Sequence, residues 1–124
     1  MKGSLCLPEP FAALDAASRR ALARELFGFA TRLLGERDLF LDLHSGSADV
    51  AYLPVIGFRD IRNAAFARSE EAARHFGLDT LWRIPDSAGT FNGEMARHGI
   101  TTLGTETTGR AGLLPEDVAA YVRG

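Results

Sequence analysis

Lysine, cysteine and tryptophan are scarce in this sequence. Lys2 is the only lysine, the other basic residues are arginines scattered along the chain, and the formal net charge is -2. That balance offers no basic stripe for nucleic acid or for an acidic membrane surface, so neither is expected as a partner. Cys6 is the single cysteine, which excludes an internal disulfide and suits a reducing compartment. No histidine stands near Cys6 to activate it as a nucleophile. No apolar run approaches the roughly 20 residues that a bilayer-spanning helix needs. The amino terminus has one positive charge followed by Pro8 and Pro10, where a signal peptide would carry an apolar stretch. Internal repeats, low-complexity tracts and linkers are missing as well. The expectation is a cytoplasmic chain that forms a single domain over residues 1–124, with residues 1–14 as an irregular lead-in.

The 124 residues are 46% hydrophobic, enough for a sizeable core. A helix is expected from Asp15 to Leu34, capped by Asp15 or Ser18, with Leu22, Leu26, Phe29 or Ala30, and Leu33 on one face and Gly35 as its stop. The run Leu39–Leu43, bounded by charge and glycine, reads as a buried strand of a parallel sheet. Val50 to Ile56 is a second strand candidate, placed at an edge or a bend because of Pro54. Ile61 to Phe76 reads as a helix with Phe66, Ala73 and Phe76 on one face. Leu81 to Ile84 reads as a strand, with Trp82 in the core. Thr90 to His98 reads as a short helix capped by Thr90 and closed by Gly99. Ile100 to Thr105 reads as a strand rich in β-branched residues, and Leu114-Pro115-Glu116-Asp117 opens a last helix. Helices alternating with strands imply an α/β fold, with a mostly parallel or mixed sheet flanked by helices.

In such sheets ligands gather beyond the carboxyl ends of the strands. His44 follows one strand and Glu106 follows another. If those strands are parallel neighbours, the imidazole and the carboxylate face one crevice, as a general acid/base pair or as a metal ligand beside a base. A capping histidine and a solvated glutamate would read the same way from position alone. Asp42 lies two residues before His44, so in a strand both side chains share a face. It could orient the imidazole, or pair with an arginine. Ser45-Gly46-Ser47 and Thr107-Thr108-Gly109 are small residues that leave room for a ligand near the backbone. Arg110 could clamp a substrate carboxylate, or stand free in its loop. Arg59 and Arg62 carry the same two readings. Glu71 with His75, and Glu94 with His98, are spaced to share a helix face, which more often makes a surface pair than a metal site.

These residues resemble a known family. The stretch "DLFLDLHSGS" resembles the strand and turn of the succinylglutamate desuccinylase/aspartoacylase family, among the zinc carboxypeptidase-like amidohydrolases, where an Asp-Leu-His-(Ser/Thr)-Gly segment supplies a zinc ligand. The stretch "RHGITTLGTETTGRAGLLPEDVAAYVRG" resembles that family's later signature, in which a strand leads to a catalytic glutamate, a glycine-containing loop and a helix. The resemblance covers roughly residues 15–124 and implies a zinc-carboxypeptidase-like fold, His44 as a zinc ligand and Glu106 as general base and acid. It also implies Zn as cofactor, with an arginine holding the carboxylate of a small substrate, an N-acyl amino acid or a similar compound. Zinc in such sites is held by two imidazoles and a carboxylate, and it lowers the pKa of a bound water. The family's other two ligands come from a His-x-x-Glu motif. His44 is followed by Ser-Gly-Ser, His75 by Phe-Gly-Leu and His98 by Gly-Ile-Thr, so the motif is absent here. The expectation is a carboxyl-terminal part of a catalytic domain, inactive as an isolated chain. The alternative is a non-catalytic homologue that binds a small ligand or a protein. Oligomeric state is left open.

Overall fold

The computed structural model describes residues 14–46, 49–109 and 114–124. The chain divides into two compact units, Met1–Leu33 and Leu34–Gly124. The first contains helix α1, Ala16–Leu33. Its start is set by Asp15, whose Oδ1 accepts the Ser18 N–H at 2.7 Å and so satisfies one of the amide groups that a helix leaves unpaired. No helix among the described residues is long and apolar enough to cross a membrane.

The second unit is built on a four-stranded sheet. Its elements in chain order are β1 (Leu39–Leu43), β2 (Val55–Arg59), α2 (Ala64–His75), β3 (Thr80–Ile84), α3 (Phe91–Arg97), β4 (Thr101–Glu106) and α4 (Pro115–Arg123). The spatial order is β1-β4-β2-β3. β1 runs parallel to β4 and β2 parallel to β3, while β2 and β4 are antiparallel. This is the mixed α/β architecture expected from the sequence, and β1 keeps the bounds of its apolar run.

Alternation along the strands assigns side chains to the two faces. Ile56, Phe58 and Leu103 join Ala73 and Phe76 of the α2 region in the buried core cluster, with Leu41, Phe66 and Tyr121 packed against it. α2 is also stitched to the start of β4. The buried Ser69 hydroxyl accepts the Thr102 N–H, and Arg68 donates to the Thr101 hydroxyl and the Gly99 carbonyl, the last two bonds both at 3.1 Å. The opposite face carries α3. There the Asn92 side chain lies where a Cβ on Gly104 would point, and the rings of Phe40 and Phe91 stand 5.5 Å apart.

Two helix caps follow the expected chemistry. Asn63 accepts the Ala65 N–H to start α2, and Thr90 accepts the Gly93 N–H to start α3. The second strand departs from expectation. It begins after Pro54 and continues through Gly57-Phe58-Arg59, and it lies inside the sheet rather than at an edge. Pro54 lacks an amide proton, so the continuous ladder starts past it, and before it there are the isolated Ala51–Gly109 bridge and the Tyr52 N–H bond to the Thr108 carbonyl. Trp82 also departs. It sits on edge strand β3, 44% exposed, because no strand among the described residues pairs on that side.

Candidate active site

The parallel register of β1 and β4 places Leu43 opposite Thr105. The next residue of each strand, His44 and Glu106, therefore emerges side by side at the carboxyl end of the sheet. Pairing persists past the strand, since the His44 N–H donates to the Thr105 carbonyl at 3.2 Å. Asp42 has Gly104 as its register partner, on the face of the sheet that Glu106 also uses.

Three side chains meet there. His44 Nε2 lies 2.9 Å from Asp42 Oδ2, and His44 Nδ1 lies 3.6 Å from Glu106 Oε1. The first is an ion-pair distance; the second is a looser electrostatic contact. The imidazole is 41% exposed, while Asp42 and Glu106 are 30% and 25% exposed. A neutral imidazole has one N–H. With that proton at Nε2, serving Asp42, the Nδ1 lone pair faces Glu106. Burial pushes the Glu106 carboxyl above its ordinary range; a positive charge on the His44 ring opposes the shift and the Asp42 carboxylate adds to it. A carboxyl held ready to keep a proton, beside a nitrogen that can accept one, is equipped for general acid/base chemistry. On the same face of the sheet, Asn92 offers a side-chain oxygen with no hydrogen-bond partner among the described residues.

The loops behind the site are fixed by close backbone packing. The Gly46 N–H donates to the Thr107 carbonyl and the Tyr52 N–H to the Thr108 carbonyl, both at 3.3 Å. A Cβ on Gly46 would stand 2.7 Å from the Val50 carbonyl oxygen and 3.2 Å from the Gly109 Cα. Gly109 has φ 77°, and a Cβ there would meet Gly46 Cα at 2.7 Å. Both glycines are thus consumed by loop-on-loop contact. The room that their small size suggested for a ligand is filled by backbone.

The other candidates do not gather into a site. His75 Nδ1 lies 2.9 Å from the Glu71 backbone oxygen rather than from its carboxylate, and Glu94 pairs with Arg97 at 2.6 Å. Arg62 forms an ion pair with Asp60 at 2.9 Å and lies over the Phe66 ring, 4.1 Å from its centroid. Arg59 donates to the Ser87 hydroxyl at 3.0 Å, and β2 runs antiparallel to β4, so Arg59 lies toward the end of the sheet away from Glu106. Arg110, Ser47 and Cys6 lie outside the described residues. Two residues beside the site were not evident from the sequence. One is Tyr121, whose hydroxyl donates to the His44 carbonyl and accepts from the Thr105 hydroxyl. The other is Asp117, which reads in the sequence only as a helix-start acid. The i, i+4 spacing of Asp117 and Tyr121 was the available signal, since it puts both on one face of α4.

Zinc needs about three protein ligands around it. Among the described residues no group of three or more His, Cys, Asp and Glu is placed to hold a metal ion. His44 has what a zinc-binding imidazole needs, a carboxylate on its far nitrogen and a lone pair on the other. The residues described do not make a zinc site by themselves.

No protein-family model matches the chain, and no curated protein matches it. Two solved structures do. One is the ectoine utilization protein EutE (DoeB) from Ruegeria pomeroyi, at 22% identity and a TM-score of 0.60 over 65% of this chain and 26% of that one. The other is a succinylglutamate desuccinylase/aspartoacylase from Rhodobacter sphaeroides, at 27% identity and a TM-score of 0.58 over 67% of this chain and 24% of that one. The chain spans about a quarter of the length of either protein. Its fold is therefore that of part of a succinylglutamate desuccinylase/aspartoacylase-like α/β domain.

Proposed function

We propose that the chain carries one half of the active site of a zinc-dependent hydrolase of an amide bond in an N-acyl amino acid or a similar small carboxylate. The observation that carries this reading is the His44 ring. It is held at Nε2 by Asp42 and faced at Nδ1 by the half-buried Glu106, at the ends of two paired parallel strands. In this reading His44 is the one zinc ligand the chain contributes, and Asp42 fixes its ring and tautomer. Glu106 takes a proton from the attacking water and returns it to the leaving amine, a cycle that its raised pKa favours. Two further ligands come from polypeptide other than these 124 residues, because the sequence has no His-x-x-Glu. The fold likeness to a solved succinylglutamate desuccinylase/aspartoacylase supports the same substrate class.

The incomplete ligand set among the described residues favours one competing reading, a non-catalytic domain that binds a small carboxylate or a protein. Zinc titration of the isolated chain by calorimetry tests the placement of the metal ligand. The expected result is weak binding that His44→Ala abolishes. Stoichiometric, tight binding that survives His44→Ala would overturn the placement.

A further inference from the structure

The two site-bearing loops are joined from behind by a single helix. We infer that α4 is the positioning element of the site, with Tyr121 setting the His44 turn and Asp117 holding Thr108, two residues past Glu106. The inference rests on the proposed role of His44 and Glu106. The Tyr121 hydroxyl donates to the His44 carbonyl and accepts from Thr105 Oγ1 at 2.9 Å, so it spans the ends of β1 and β4. Thr105 is 2% exposed, and its Oγ1 also lies 3.4 Å from the His44 amide nitrogen. One turn earlier, Asp117 is 1% exposed. Its Oδ1 accepts from the Thr108 hydroxyl and its Oδ2 from the Leu114 N–H at 3.3 Å. The first bond ties α4 to Thr108, and the second belongs to the capping of the helix's own start.

A buried carboxylate and a half-buried phenol are costly unless satisfied; here Asp117 bonds Thr108 and Leu114, and Tyr121 bonds Thr105 and the His44 carbonyl. Thr105 and Tyr121 reach His44 from the sheet face opposite Glu106, because Thr105 and Glu106 alternate along β4. The helix thus grips the main chain of the site and leaves its crevice open. A helix present only for packing would need apolar residues on that face, not a carboxylate that bonds Thr108 and a phenol that bonds Thr105 and the His44 carbonyl.

The test uses the 124-residue chain with 13C and 15N labels, comparing Tyr121→Phe, Thr105→Val and Thr105→Ser with the parent. Loss of one net hydrogen bond predicts a roughly 2- to 10-fold faster hydrogen exchange at the His44 amide. It also predicts shifted His44 ring resonances in Tyr121→Phe and Thr105→Val. The Phe58 amide, in the core, keeps its protection, and Thr105→Ser, which retains the hydroxyl, behaves as the parent. If Tyr121→Phe does not fold, Thr105→Val against Thr105→Ser decides. Equal acceleration at His44 and Phe58, or unmoved His44 ring signals, would overturn the inference. Because the readout needs neither zinc nor turnover, its failure is distinguishable from a failure of the hydrolase reading.

Discussion

Replacing Gly109 with alanine probes the loop contact that closes the back of the site. Two costs apply. The backbone sits at φ 77°, in the left-handed region, where a Cβ costs about 1–2 kcal/mol. The new Cβ would also stand 2.7 Å from Gly46 Cα and 2.8 Å from Gly46 C, against backbone that cannot rotate away. Overpacking of that kind costs about 1–3 kcal/mol. The expected loss is therefore roughly 2–5 kcal/mol, a large share of the stability of a small domain. Gly77 supplies the control. It has φ 85°, but a Cβ added there would meet nothing within 4 Å, so Gly77→Ala should cost only the backbone strain, about 1–2 kcal/mol. Urea unfolding followed by far-UV circular dichroism measures both, with unchanged m-values as the check on two-state behaviour. If Gly109→Ala costs no more than Gly77→Ala, the two loops are not in backbone contact and the reasoning about the back of the site is wrong.

Three further outcomes follow from the same geometry. Leu103 is 1% exposed in the core cluster, so Leu103→Ala should lower stability by about 2–5 kcal/mol in the same urea assay. Asp60 has its pKa lowered, first by the Arg83 hydrogen bond and then by Arg62. Its contribution is present above the unfolded value near 3.8 and is lost as pH falls through the folded value. Parent and Asp60→Asn should therefore differ in thermal midpoint at neutral pH and converge in acid. Glu106 has the opposite sign, because burial raises its pKa. Its ionisation opposes folding as pH rises through the folded value, so Glu106→Gln should be at least as stable as the parent at neutral pH, with the gap closing in acid. A variant less stable at neutral pH would remove the burial argument.

Much of the site was legible in the sequence because its logic is local. Strand alternation put Asp42 and His44 on one face, and the apolar run fixed the bounds of β1. The strand-end positions of His44 and Glu106 needed only that their strands be parallel neighbours, which the β1–β4 register satisfies. What escaped depends on partners distant in sequence. The hydroxyl of Tyr121 meets a carbonyl that lies far earlier in the chain; the i, i+4 spacing with Asp117 marks a shared helix face but not that partner. Gly46 reads as space for a ligand until Gly109 and Val50 occupy that space. Trp82 reads as core by its size, yet strand order leaves it at an edge. Pro54 marks an interruption in pairing, but only the structure shows the strand on its far side.

The central claim is that His44 and Glu106 form half of a hydrolytic site. Fusing the chain behind an amino-terminal segment that bears His-x-x-Glu, and assaying zinc-dependent release of the amino acid from N-acyl amino acids, tests it most directly. Turnover in the fusion that falls by at least about 100-fold in Glu106→Gln, in line with the contribution of general acid/base catalysis, and that is lost in His44→Ala, is the predicted result. Turnover that survives either substitution would contradict the claim.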